Sequence, residues 1–154
     1  MATETLQLGT SPRPLDVELV DNGITLEAPM TPGVEYTITP WSNNNRRFRR
    51  AMERRFARRA LSANGTTAPE NLDDEELLEE YEGLRDDPEF VVDAVLRDID
   101  GLLNENGNPV KYTRERGLQV LSDDNWRHLR NWICDQALML TRRINRATED
   151  DEGN

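Results

Sequence analysis

The chain has 154 residues, of which 36% are hydrophobic and 32% charged, so we expect one domain with a small core. Its 30 acidic residues outnumber its 19 lysines and arginines, and the formal net charge of -11 argues against general affinity for nucleic acid or for an anionic membrane. Cys134 is the single cysteine, which excludes an intramolecular disulfide and fits a reducing cytoplasm. We expect no export signal and no membrane span, because no apolar run reaches about 18 residues.

The first part of the chain predicts a flexible lead-in followed by a small β-meander. Residues 1–14 are polar and rich in turn formers, which is typical of a flexible segment. Apolar and polar residues then alternate over 15–19 and 24–28, on either side of an Asp-Asn-Gly turn signal. A third stretch, over 34–39, is β-branched and aromatic. The pattern predicts three short strands in 15–40, which need helices to be stable.

The rest of the domain, residues 44–147, is predicted to be helical. The first of these helices carries an apolar stripe on one face and arginines on the other, after asparagines that can cap it. A second, acidic helix is expected from near Asn71 to Leu84. A third is expected over 90–103, where the length of the apolar stretch and its helical spacing outweigh β-branched residues that would also suit a strand.

The last third of the chain contains the clearest helix signals. A turn is expected at 104–109, followed by a short helix that Thr113 caps and that ends at Leu121. Residues 122–124 supply the next cap. The final helix carries a near-heptad apolar stripe, which favours packing on the core, on a partner helix or on a second copy. The stripe consists of Trp126, Leu129, Ile133, Ala137, Leu140, Ile144 and Ala147, widened by Trp132 and Met139.

These elements predict a mainly α protein of the α+β class, with a small N-terminal β-meander of about three strands followed by a bundle of about five helices. We expect a single domain over 15–147, with the meander in 15–40 and the helices in 44–147. Residues 148–154 are acidic and are expected to form a disordered tail.

No residue pattern points to catalysis or to a cofactor. His128, the only histidine, has no visible orienting partner, so a surface position is favoured. Cys134 lies beside the apolar stripe, which favours a small buried side chain over a reactive thiol. The 104–108 loop is not a calcium loop, because Leu102 and Thr113 would stand where carboxylates are required. We therefore expect no enzyme activity, no cofactor and no metal site.

A basic stretch interrupts this acidic chain. Between positions 46 and 59, eight arginines stand against Glu53, a local charge of +7 that leaves -18 for the rest of the chain. The arginines are Arg46, Arg47, Arg49, Arg50, Arg54, Arg55, Arg58 and Arg59. Arginine suits planar, bidentate pairing with carboxylate or phosphate, so protein and nucleic acid are both candidate partners.

Residues 70–89 contain eleven acidic side chains against Arg85, and this neighbouring segment can neutralise the basic stretch. A protein-facing role is favoured over nucleic acid, because a stretch of +7 beside a segment of -10 leaves little net field for phosphates. A solvated charged helix without a partner is the third interpretation.

Three stretches of the chain carry a family resemblance. A β-rich opening precedes a helix start of small polar, asparagine, arginine and aromatic residues at 42–51. A buried apolar stretch then runs into a glycine-marked turn and a Tyr-Thr start over 94–113. A short helix ending at 120–123 precedes a closing helix with tryptophan, isoleucine and alanine at 132–137. This order resembles the tail assembly chaperones of long-tailed bacteriophages, although Asp100 stands where that family often has tryptophan and the acidic segment is longer.

The resemblance implies a non-enzymatic role in the host cell cytoplasm. Such chaperones bind the tape measure protein, keep its long hydrophobic helix soluble and recruit tail tube subunits, and they are usually absent from the finished virion. Exposed apolar residues of the last helix would grip a client helix, although a place in the core is favoured for the same stripe. The candidate partner-binding residues are Arg46, Arg47, Phe48, Arg50, Arg54, Trp126, Leu129, Trp132, Ile133 and Leu140. The alternatives are a phage regulator that binds nucleic acid through the basic stretch and a structural tail or connector component of the virion.

Overall fold

The chain folds into helices around a small three-stranded sheet, which confirms the predicted mainly α, α+β class. The computed structural model describes residues 17–62 and 82–152 of the chain. A short helical turn covers 82–85, and a 3-10 turn covers Asp124–Trp126. The other elements, in chain order, are α1 (Val17–Asn22), β1 (Ile24–Glu27), β2 (Glu35–Ile38), α2 (Arg46–Ser62), α3 (Pro88–Ala94), β3 (Leu96–Asp100), α4 (Arg114–Leu121) and α5 (Arg127–Glu152).

The sheet is antiparallel, and β2 lies between β1 and β3. Ile24 pairs with Ile38 across β1 and β2, and Tyr36 pairs with Ile99 across β2 and β3. The two strands predicted over 24–28 and 34–39 are therefore confirmed, but residues 15–40 do not form a three-stranded meander by themselves.

The third strand comes from the stretch that the spacing predicts to be a helix over 90–103. α3 ends at Ala94, and the chain turns into β3, where Leu96 and Ile99 are buried. β-branched side chains suit this extended backbone, and the free edge of β2 supplies its hydrogen-bond partners. The helix prediction is wrong for this half because β2 lies far away in sequence, and local periodicity carries no information on such a pairing.

A helix replaces the predicted first strand. α1 is closed by Gly23, whose N–H donates to the Leu19 carbonyl at 2.9 Å and whose φ is +72°. A side chain cannot be accommodated there, since a Cβ would lie 2.2 Å from the Ile38 carbonyl oxygen. Val20 of α1 packs with Leu140 of α5. The Asp-Asn-Gly sequence therefore ends a helix, and glycine with a positive φ is common at that position.

Apolar faces of α2, α3 and α5 meet the sheet in one core. Trp41, Phe48 and Phe90 form an aromatic cluster with ring centroids 5.3 to 5.5 Å apart, in the tilted and edge-on geometries that aromatic pairs prefer. The α5 stripe contributes Leu129 and Ile133, which are 1% and 0% exposed. The favoured interpretation as core is thus confirmed for Leu129, Ile133, Ala137, Leu140 and Ile144, whereas Trp126 and Trp132 are half-buried and Met139 is 57% exposed.

Two cap predictions are confirmed, one with a shift along the chain. Thr113 caps α4 by accepting the Arg116 backbone N–H on its hydroxyl at 3.2 Å. The predicted turn at 104–109 is present and joins Leu102 to the segment before α4. Asp123 caps the 3-10 turn rather than α5 itself, so α5 begins only at Arg127.

The ends of the predicted helical region differ from expectation. α5 continues to Glu152, so residues 148–152, expected to be part of a disordered tail, are helical. Residues 127–152 contain no glycine or proline that would end the helix. An established helix propagates with one hydrogen bond for each added residue. The helix predicted from Asn71 to Leu84 lies outside the described residues, apart from the 82–85 turn.

Candidate partner-binding surfaces

Asn45 fixes the start of α2 and thereby aims the basic stretch. Its side chain is 2% exposed, and its Nδ2 lies 2.9 Å from Thr39 Oγ1, 2.8 Å from the Pro40 carbonyl and 3.0 Å from the Ala94 carbonyl. Its Oδ1 accepts the Arg47 backbone N–H at 3.1 Å, which caps α2. One amide therefore ties α2 to the end of β2 and to the end of α3.

The C-terminal half of the basic stretch faces carboxylates from the α3 region. Arg55 Nη1 donates to Asp87 Oδ2 at 2.6 Å, and Arg58 forms a two-pronged pair with Glu89 at 2.8 and 3.1 Å. The predicted neutralisation by residues 70–89 is therefore confirmed for its last two acidic residues, while 70–81 lie outside the described residues.

Arg114 of α4 completes this cluster from the opposite side. Its Nε and Nη2 donate to the two carboxylate oxygens of Asp93 at 2.7 and 3.0 Å, and Nη2 also reaches Glu89 at 3.2 Å. Hydrogen bonding to Asp93 raises the pKa of Arg114, and Arg54 of α2 lies 3.9 Å from the same carboxylate. Asp93 and Glu89 therefore bridge α2 to α4. We call Arg55, Arg58, Asp87, Glu89, Asp93 and Arg114 the ion-pair cluster.

The ion-pair cluster predicts a loss of stability in acid. Hydrogen bonding to Arg58, with a smaller effect of Arg114, holds the pKa of Glu89 below its ordinary 4.5. The stabilisation is thus fully present above pH 4.5 and is lost as the pH falls through the lower folded-state pKa. We expect urea denaturation to show wild type more stable than Glu89→Gln at pH 7, with the difference shrinking in acid. Glu105→Gln is the control, because Glu105 is exposed and has no ion pair among the described residues. Parallel curves of unfolding free energy against pH for wild type and Glu89→Gln would contradict the prediction.

The N-terminal half of the basic stretch faces solvent. Arg46, Arg49 and Arg50 are exposed, and within the described part of the chain no carboxylate lies at ion-pair distance from Arg46 or Arg50. Arg47 is half-buried instead and donates to the Leu96 carbonyl at 3.1 Å, and burial lowers its pKa. The accessible basic surface is therefore smaller than the run of eight arginines suggests.

The remaining predicted partner residues divide by burial. Phe48, Leu129, Ile133 and Leu140 are 6% exposed or less, so none of them is available to a partner in the folded chain. Trp126 and Trp132 are half-buried, and Trp132 also packs edge-on against Tyr36 at 5.8 Å. Of the predicted residues, the exposed ones are Arg46, Arg50 and Arg54.

A cleft of about 380 Å³ opens between the 102–110 loop, α4 and the 3-10 turn. Its apolar lining consists of Leu102, Leu103, Val110, Val120 and Trp126, and its polar lining consists of Asn104, Glu105, Arg116, Gln119 and Asp123. We call it the Leu103 cleft, because Leu103 at its mouth is 61% exposed. Sequence reasoning missed this surface by placing both leucines in a buried helix. The available signal was their position directly before the predicted 104–109 turn, since turn segments lie on the surface.

The predictions for His128 and Cys134 agree with the structure. His128 is exposed, and Cys134 is 0% exposed; burial raises the pKa of the Cys134 thiol to about 12, so it is protonated at neutral pH. Among the described residues, no three His, Cys, Asp or Glu side chains are grouped to hold a metal ion. In the same ranges, no helix combines the length and apolarity needed to cross a membrane.

Both surfaces lie in a region that can be assigned to a family. Residues 43–154, from just before the cap of α2, match the family of the YdaY prophage protein. Because this match covers most of the chain, the protein belongs to that family and is derived from a phage. Neither the curated proteins nor the solved structures gave a match.

Proposed function

We propose that the protein is a phage tail assembly chaperone, which binds the tape measure protein and helps to recruit tail tube subunits without catalysis. The observation that carries the proposal is the family match: residues 43–154 belong to a prophage family, and the resembling segments lie in that region except for residue 42 and the β-rich opening. The same segments also contribute to one packed core through α2, α3, β3 and α5. A phage origin supports the proposal because tail assembly chaperones are phage proteins.

The surface suits a carrier of an apolar client. A net charge of -11 makes complexes repel one another and so favours their solubility. The Leu103 cleft offers apolar surface to a client, whereas Leu129, Ile133 and Leu140 of the α5 stripe are buried in the core. In this proposal the client contacts the loop and helix around Leu103, a surface that includes Trp126 of the predicted stripe.

Co-expression with the tape measure protein of the same phage tests this proposal. We expect a fragment containing its long apolar helix to accumulate in the soluble fraction and to elute with the chaperone in size-exclusion chromatography. An unrelated acidic protein of similar size is the control, because charge alone must not produce the effect. Failure of the two proteins to elute together even at low salt would count against the proposal.

The proposed role also includes a cellular location. A chaperone that acts before the tail tube closes belongs in the host cytoplasm, and we expect mass spectrometry to detect it in lysates of producing cells but not in purified particles. Its presence in particles at a fixed copy number would favour a structural tail or connector component instead. A position of its gene between those for a major tail protein and a very long helical protein would favour the chaperone.

The exposed arginines at the start of α2 favour one second candidate, a regulator that binds nucleic acid. Arg46, Arg49 and Arg50 face solvent, whereas Arg55 and Arg58 are already paired with carboxylates. Such a protein would shift DNA or RNA in a gel, with affinity falling steeply as salt rises. The double variant Arg46→Gln, Arg50→Gln would abolish the gel shift. A tail assembly chaperone is not expected to produce such a shift.

A further inference from the structure

Leu103 differs from Met139, the other exposed large apolar residue of the described chain. Leu103 and Met139 are 61% and 57% exposed, and these are the large hydrophobic side chains that the structure leaves open to water. Single exposed apolar residues are common on protein surfaces. Leu103, however, stands at the mouth of a cleft with further apolar lining from Val120 and Trp126, whereas Met139 does not line it. A volume near 380 Å³ lies at the lower end of the range for binding pockets and suits one or two bulky side chains.

The walls of the cleft are held by hydrogen bonds before any partner arrives. Val110 N donates to the Leu102 carbonyl at 3.0 Å, and Asn104 N donates to the Asn108 carbonyl at 2.9 Å. The Asn104 side chain also accepts the Asn106 and Asn108 backbone N–H groups at 2.9 and 3.0 Å. A preformed wall does not have to be ordered on binding, which lowers the entropy cost of association.

Charge on the rim indicates the chemistry of the occupant. Glu105 and Asp123 line the cleft and make no ion pair with any described residue. Arg116, the one cation in the lining, donates to the Lys111 carbonyl at 2.6 Å. The chain as a whole carries -11, which adds a long-range attraction for a cationic partner. The rim and the whole molecule therefore both favour an occupant that carries lysine or arginine.

We propose that the Leu103 cleft binds an amphipathic helix of a partner protein, with bulky apolar side chains one turn apart in the cleft and lysine or arginine beside them. In this arrangement Leu103 and Trp126 contact the apolar side chains, and Glu105 and Asp123 face the cations. The inference rests on the proposed function, because it takes the helix from the tape measure protein.

Charge substitution at Leu103 tests the apolar contact. Leu103→Glu and Met139→Glu introduce the same group at two exposed positions, so both variants are expected to fold with unchanged circular dichroism and thermal midpoints. We expect titration calorimetry with a purified tape measure fragment to show roughly ten- to hundredfold weaker binding for Leu103→Glu. Binding by Met139→Glu should equal that of wild type. Equal binding by wild type and Leu103→Glu would overturn the inference while leaving the proposed function intact.

A charge reversal at the rim tests the cationic part of the occupant. Glu105→Lys should weaken binding of the fragment by roughly threefold or more at low salt, and the difference from wild type should vanish at high salt. Glu53→Lys makes the same reversal on the exposed side of α2 and should not change binding in this way. A wild type that fails to bind the fragment at all would overturn the proposed function and the cleft inference together. If wild type is a dimer and Leu103→Glu a monomer in light scattering, a second copy occupies the cleft and the inference is wrong.

Discussion

Replacing Asn45 with aspartate is expected to lower the free energy of unfolding by about 3–5 kcal/mol. The two side chains have the same shape, but Nδ2 of Asn45 points at three oxygen atoms, those of the Thr39 hydroxyl and of the Pro40 and Ala94 carbonyls. An aspartate puts an oxygen in place of that donor. The three acceptors lose their partner, and a charge is buried at a position that is 2% exposed.

Asn44→Asp is the matched control for this change. Asn44 is exposed, so the same substitution one residue earlier is expected to move the free energy of unfolding by less than about 0.5 kcal/mol. Urea denaturation followed by circular dichroism measures both variants. Because burial favours the neutral form of the introduced carboxyl, the deficit of Asn45→Asp should narrow as the pH is lowered. Equal midpoints for the two variants at pH 7 would show that the amide is not needed.

The Asn43-Asn44-Asn45 run shows how far the sequence could be interpreted. It predicts a helix cap in the right place, because asparagine is a common N-cap and an apolar-basic periodicity follows. It does not distinguish which of the three asparagines is buried. That distinction depends on Thr39, Pro40 and Ala94, and the last of these lies in a different part of the chain.

The same limit explains the larger errors in the fold. α4 and α5 are predictable because their caps and apolar spacing lie within the helices themselves. β3 is not, because its partner edge on β2 comes from the first quarter of the chain. Once the chain leaves the helix at Ala94, Leu102 and Leu103 are carried out of the core and into a surface loop, so the misassigned strand also concealed the cleft.

The candidate surfaces were predictable in part, for electrostatic reasons. The local charge along the sequence identified the basic stretch and predicted that neighbouring carboxylates neutralise it. The pairs of Arg55 with Asp87 and of Arg58 with Glu89 confirm this prediction for those two arginines. It gave no indication of Asp93 and Arg114, since one acidic and one basic residue in separate segments carry no visible pattern. The apolar stripe of α5 was the more ambiguous signal, because core and client groove require the same residues.

Truncation of Ile133 separates these two roles of the stripe. Ile133→Ala is expected to lower the free energy of unfolding by about 3–4 kcal/mol, because removal of a fully enclosed side chain loses both burial and packing contacts. Ile133 is 0% exposed and lies in the main core cluster with Leu129 and Ala137. Ile133→Val, which removes one methylene, should cost only about 1 kcal/mol.

Met139→Ala on the same helix provides the control, since Met139 is 57% exposed and its truncation is expected to change the free energy of unfolding by less than about 0.5 kcal/mol. Denaturation midpoints and calorimetric affinity for the tape measure fragment should be measured on the same preparations. If Ile133 belongs to the core, the loss appears in stability, while the protein that remains folded binds the fragment as wild type does. An Ile133→Ala variant with a wild-type midpoint and lost binding would instead return the client contact to the α5 stripe. The cleft would then have no client to bind. The proposal therefore requires Ile133→Ala to lose stability and keep its affinity for the fragment, and Leu103→Glu to keep its stability and lose affinity.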